Sequence, residues 1–145
     1  MKTELVQFAA LPYVLVGDRP LVCLVTSRET KRWIIPKGWA KAGTPERIVA
    51  ANEALEEAGL VGTISTKALG TYEYRKKLHV FAYATCRVRV YTLHVKHQLF
   101  DWPERRHRRT AWLDPLDAAG RVKERGLADL ITGFGTQAGT TDELG

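Results

Sequence analysis

Apolar residues first run together along this chain, then recur at helical spacing, then alternate with polar ones. Leu5 to Val16 is mostly apolar and predicts one strand, with Pro12 as a point of breakage. Gly17-Asp18-Arg19-Pro20 signals a turn. Leu21 to Val25 is a continuous apolar run, the pattern of a strand buried on both faces. Ser27 to Lys31 is polar, and Trp33-Ile34-Ile35-Pro36 is a short extended segment that the proline ends. Lys37 to Gly43 reads as a loop. Thr44 as N-cap and Pro45 at the first helical position then predict a helix, with Ile48, Ala51, Leu55 and Ala58 as its buried stripe. Gly59 is its expected stop.

The second half reads mainly as strands. Val61 to Tyr74 is β-rich in parts, Arg75-Lys76-Lys77 suggests a hairpin tip, and Val80 to Val95 alternates apolar with polar. A polar loop from Gln98 to Arg109 precedes a short strand at Ala111-Trp112-Leu113. Asp114-Pro115 begins a helix, and Leu127 to Ile131 begins another. The expectation is one domain over 1–134, with 135–145 as a flexible Gly- and Thr-rich tail.

Composition agrees with one soluble domain. The chain has 145 residues, 45% apolar and 26% charged. Its net charge of +6 points to a polyanionic partner, either nucleic acid or a small molecule crowded with phosphates. Cys23 and Cys86 lie in apolar runs and read as buried hydrophobes. The four histidines show no zinc-ligand spacing. Lys2 followed by Glu4, Gln7 and Pro12 does not read as a signal peptide, and no apolar run is of membrane-spanning length. A cytoplasmic location without membrane association is the default expectation. The sequence sets no oligomeric state.

One segment departs from what stability alone would select. Glu53, Glu56 and Glu57 fall at i, i+3 and i+4 on the predicted helix. None has a Lys or Arg three or four residues away. Glu56 and Glu57 also lie in the last turn, where the helix dipole disfavours negative charge. A solvated acidic face is the plain alternative. The spacing, the placement and the absent partners favour a site for a hard divalent cation.

From Gly38 onward the segment resembles the box of the Nudix hydrolase family. That box reads Gly, five residues, Glu, seven residues, Arg-Glu, hydrophobic, any, Glu-Glu, any, Gly, hydrophobic. Gly38, Glu53, Ala54, Glu56, Glu57, Gly59 and Leu60 fall in register. Thr44 stands where the box has its first Glu, and Asn52 where it has Arg; Glu46 is a candidate substitute for the missing acid. Within the family, Thr26-Ser27-Arg28, Arg32 to Pro36, and Asp101-Trp102 followed by a basic stretch and Trp112 look most similar to the diphosphoinositol polyphosphate and diadenosine polyphosphate hydrolases.

The resemblance implies an α/β fold, an α/β/α sandwich with a mixed central sheet and a loop–helix–loop motif. It implies hydrolysis of a phosphoanhydride bond in a nucleoside-diphosphate derivative, a diadenosine polyphosphate or an inositol pyrophosphate. Mg²⁺ or Mn²⁺ would be the cofactor, held by Glu53, Glu56, Glu57 and the backbone carbonyl of Lys37. Substrate contacts would come from Arg28, Arg32, Lys37, Gly38 and Trp39. The general base is Glu56, Glu104 or Asp101. Ordinary surface charge is the competing reading of Arg28, Arg32 and Lys37, and packing that of Trp39. Arg105, Arg106, Arg108 and Arg109 read as a solvated basic loop. The alternative function is a catalytically weak module of the same fold that binds a phosphorylated ligand. General nucleic-acid binding rests on net charge alone and ranks last.

Overall fold

The computed structural model describes residues 4–141. Its strands are β1 (Glu4–Val16), β2 (Arg19–Thr26), β3 (Trp33–Ile34), β4 (Lys37–Trp39), β5 (Leu60–Ile64), β6 (Gly70–His79), β7 (Ala82–Gln98) and β8 (Thr110–Leu113). The helices are α1 (Glu46–Ala58), α2 (Pro115–Arg121) and α3 (Arg125–Thr141). All eight strands join one mixed sheet. β1 lies parallel to β7, and the remaining pairings are antiparallel.

Two cores sandwich this sheet. Ala9, Leu11, Val88 and Val90 face Leu127 and Ile131 of α3 on one side. Phe8, Ala10, Tyr91 and Leu93 face Val49, Ala50 and Ala54 of α1 on the other. The period of two along β1 and β7 therefore feeds both layers, and the expected α/β/α sandwich is what forms.

Pro12 does not break β1. It pairs in register with Leu93, and β1 runs through it. Ala10 donates its N–H to the Pro36 carbonyl, so alternate β1 amides face the β2/β4 side. Pro12 falls on that side between the β4 register, which ends at Ala9, and the β2 register, which begins at Tyr13. Its missing N–H thus costs no ladder bond.

Three other expectations shift. Arg75, Lys76 and Lys77 lie within β6, and the turn comes at Val80 and Phe81. The expected boundary after 134 falls inside α3, which continues to Thr141; residues 142–145 of the expected tail lie outside the described residues. Thr44 is not the N-cap of α1. Pro45 holds that position without a side-chain cap bond, and its carbonyl accepts from Ile48 and Val49.

Cys23 and Cys86 are both buried, as their apolar runs suggest. Among the described residues, no helix is long and apolar enough to cross a membrane.

Candidate active site

The buried stripe of α1 is Val49, Ala50, Glu53, Ala54, Glu57 and Ala58. The sequence pattern pointed to Ile48, Ala51, Leu55 and Ala58; Ala58 is buried, but the other three are only half-buried. The helix is thus rotated so that two glutamates go inward. Glu53 and Glu57 are one turn apart and on one face. Glu56 is half-buried, about 100° around the helix from Glu57. For that reason the three carboxylates do not converge. Among the described residues, no three His, Cys, Asp or Glu side chains form a ready-made metal cage.

What surrounds the pair explains why it sits there. Gly38 of β4 lies directly over Glu53, and a Cβ at Gly38 would overlap the Glu53 carboxylate. β4 is a short edge strand, paired only to β1. Register turns the hydrogen-bonding groups of Gly38 toward β1 and those of Lys37 away from it. The Lys37 carbonyl is therefore free of that ladder.

The loop after β7 closes the C-terminal end of α1. Gly59 ends the helix at φ +68° and donates to the Leu55 carbonyl at 2.9 Å. Gln98 Nε2 donates to the carbonyls of Ala58 and Gly59, both at 3.1 Å. The Glu104 amide donates to the Glu56 carbonyl at 3.0 Å. Carbonyls that every helix leaves open at its end are thus satisfied by this loop. The loop also delivers Arg108, whose side chain is only 11% exposed. Arg108 Nη1 donates to the Thr26 carbonyl at 3.0 Å and lies 3.6 Å from Glu57 Oε1, while its Nε donates to Glu104 Oε1 at 3.1 Å.

Even with this partner, the pair is uneasy. Burial pushes the Glu57 carboxyl up to about 8; Arg108 opposes the shift and Glu53 adds to it. Burial raises Glu53 as well. Glu57 Oε1 is buried with no hydrogen-bond partner. Lys37 is nearby, its ammonium pKa lowered by burial while Glu57 pulls it back.

No family model matches the chain. Nudix hydrolase 16, mitochondrial, of Arabidopsis thaliana is 33% identical over 117 residues, 78% of this chain and 64% of that protein. A solved Nudix hydrolase from Nitrosomonas europaea superposes with a TM-score of 0.72 at 16% identity, over 94% of this chain and 91% of that one. The chain resembles the Nudix hydrolases in sequence and has their fold. A C. elegans Ap4A hydrolase, solved as a binary complex, shares the fold with a TM-score of 0.66 at 18% identity, over 90% of this chain and 94% of that one. The chain spans less than two thirds of the length of the Arabidopsis relative.

Within the Nudix frame the expected site residues divide into groups. Glu53, Glu57, Gly38 and Lys37 come together at the junction of β4 and α1. Glu104 approaches through Arg108 and also pairs with Arg28 at 3.6 Å. Trp39 is exposed, with Lys76 Nζ 5.6 Å from its ring centroid. Arg32 is farther along, donating to Glu124 Oε2 at 2.9 Å. Asp101 is exposed and, among the described residues, pairs with its neighbours Trp102 and Arg105. Glu46, the candidate substitute for the missing box acid, accepts at Oε2 from both Arg89 and Tyr91 at 2.8 Å.

Two buried charged side chains carry no trace in the sequence pattern. Arg108 was grouped with a solvated loop, yet it is buried against Glu57. Glu124 carried no signal, since its partner Arg32 is 92 residues away.

Proposed function

We propose that this chain hydrolyses a phosphoanhydride bond in a nucleoside-diphosphate derivative, a diadenosine polyphosphate or an inositol pyrophosphate, with Mg²⁺ or Mn²⁺ as cofactor. The observation that carries this reading is the buried Glu53–Glu57 pair, with Glu57 Oε1 in no hydrogen bond and only a long ion pair to Arg108. Two adjacent buried carboxylates repel each other and need a counter-charge. Mg²⁺ is commonly held by one or two carboxylates, with substrate phosphates and waters completing its shell, so the donor set fits. Glu53, Glu57 and the Lys37 carbonyl would hold it, with Glu56 acting directly, through water or on a second ion. When bound, the ion neutralises charge on the diphosphate and acidifies a water.

The chain's own side chains supply the rest. Lys37 Nζ stands 5.4 Å from the Tyr74 ring centroid, where an ammonium suits a phosphate. Arg28, half-exposed beside Glu104, offers a planar fork for another. Gly38 keeps the approach to Glu53 open, and Trp39 covers its outer side. Glu56 takes the proton from the attacking water. Among the described residues it makes no ion pair, whereas Glu104 is already engaged by Arg108 and Arg28.

A phosphate-release assay over dinucleoside polyphosphates, sugar nucleotides and inositol pyrophosphates, in Mg²⁺ or Mn²⁺, tests the reading. Turnover of at least one substrate, lost in Glu57→Gln, is expected. Tight binding with no turnover of any would replace the enzyme with a binding module.

A further inference from the structure

The apolar surface that the fold leaves uncovered gathers at one place. Four of the ten large hydrophobic side chains exposed among the described residues, Leu78, Val80, Phe81 and Tyr83, fall within six residues at the end of the β6–β7 hairpin. β6 pairs with β7 as far as His79 and Ala82, so Val80 and Phe81 make up the whole turn. Two-residue hairpin turns favour Asn, Asp and Gly. Here both positions are large and apolar, and Phe81 is 92% exposed. Side chains that neither suit their turn nor pack against the fold mark a contact with something outside it.

The charge on this hairpin is one-sided. From Tyr74 to Phe100 there are six Lys and Arg and no Asp or Glu, against a net charge of +6 for the whole chain. Arg87 is paired with Glu4 and Glu73, and Arg89 with Glu46. Arg75, Lys76 and Lys77, immediately behind the tip, have no ion pair among the described residues. Arg75 instead lies 4.8 Å from the Tyr83 ring centroid, and Lys76 Nζ lies 5.6 Å from that of Trp39. β1 meets β7 only from Thr85 onward, so the ribbon beyond it has no third strand among the described residues. An apolar tip with cations behind it therefore projects from the sheet.

This combination separates the partners that could cover it. A second copy of the chain would set these cations against their like. A nucleic-acid strand would answer the charge, but bases stack on flat rings, and Leu78 and Val80 offer none. A bilayer with acidic headgroups answers both halves at once: the apolar tip enters the acyl boundary, and the cations stay among the headgroups. We propose that the Val80–Phe81 tip of the β6–β7 hairpin inserts into the surface of an anionic membrane, with Arg75, Lys76 and Lys77 in its headgroup layer. Such peripheral contact needs no spanning segment, unlike the membrane association that the hydropathy of the chain argues against.

Sedimentation of the full chain with vesicles tests this. The vesicles are phosphatidylcholine alone, or phosphatidylcholine with phosphatidylserine as about a third of the lipid. Binding is expected to the acidic vesicles and to weaken as salt rises. Phe81→Ser, and the double variant Arg75→Gln with Lys77→Gln, should each bind about tenfold more weakly or worse, with unchanged melting points. Phe81→Trp should bind like the native chain, with its added emission quenched by lipid brominated in the acyl chains. No binding to acidic vesicles, equal binding to phosphatidylcholine alone, undiminished binding by Phe81→Ser, or an unquenched Phe81→Trp would each overturn the proposal. A salt-sensitive complex with a random RNA oligomer, or dimers that Phe81→Ser dissolves, in place of vesicle binding would also overturn it and give the tip to that partner. None of these readouts uses phosphoanhydride turnover, so the hydrolase reading stands or falls separately.

Discussion

Arg108 Nη1 stands 3.6 Å from Glu57 Oε1 and is the nearest counter-charge to the buried carboxylate pair. It reaches the site from a loop that also holds the end of α1. Removing one partner of a buried pair leaves the other uncompensated. In urea unfolding above pH 8, where the native Glu57 carboxyl is ionised, Arg108→Met is expected to destabilise the chain by about 3 kcal/mol. Arg108→Lys, which keeps the charge but loses the fork that spans Glu57, Glu104 and the Thr26 carbonyl, is expected to recover only part of it. An unchanged unfolding midpoint for Arg108→Met would show that the contact contributes nothing.

Stability without metal is expected to fall as pH rises. The Glu57 carboxyl is held near 8, above the ordinary value of 4.5, chiefly by burial. Between those values the unfolded chain has released this proton and the native chain still holds it. The unfolded state then binds fewer protons, so stability drops from about pH 4.5 to about pH 8 and levels off above. Glu53 acts in the same direction. Thermal melts in chelator from pH 5 to 8.5 should show a melting point that declines in the native chain and is flatter in Glu57→Gln. Adding millimolar Mg²⁺ should raise the melting point most at the alkaline end. Parallel profiles for the two proteins would rule out Glu57 as the source.

Gly38→Ala places a methyl group on the Glu53 carboxylate. Overpacking of this kind costs about 1–3 kcal/mol, and relief requires Glu53 to move. Phosphoanhydride turnover should fall along with stability. Gly120→Ala is the matched control: it lies in α2 with nothing within 4 Å of the added carbon. It should be neutral, or stabilising by up to about 1 kcal/mol through helix propensity. Equal effects at both positions would refute the steric account.

The seal at the end of α1 can be probed twice. Gln98→Ala removes the donor to the Ala58 and Gly59 carbonyls and is expected to cost about 1 kcal/mol. Gly59→Ala combines a left-handed backbone with overlap on the Trp102 ring and should cost more, about 2 kcal/mol or above. Denaturant midpoints in the opposite order would contradict this picture.

Signals confined to a few residues survived folding well. Gly59 ends α1 in the left-handed conformation, and the Asp114 carboxylate accepts from the Asp117 amide at 3.0 Å as an N-cap should. The alternating and continuous apolar runs became the strands that build both cores. The phase of α1 was misjudged because its apolar residues cover much of its circumference. Helical spacing alone then leaves the inward face undecided, and the Gly38 contact with Glu53 settles it. Arg108 and Glu124 escaped notice for a different reason. Each acts on a partner distant in sequence, and such pairings leave no periodic trace.

The parallel pairing of β1 with β7 joins Glu4–Tyr13 to Thr85–His94. Everything in the site between those segments, β4 and α1 included, lies inside the closed loop, and the Arg108 segment follows directly after it. Closing so long a loop is entropically slow and dominates the contact order of the fold. A chain clipped in β1 should lose its catalytic constellation together with its cooperative unfolding transition, with no half-assembled site in between.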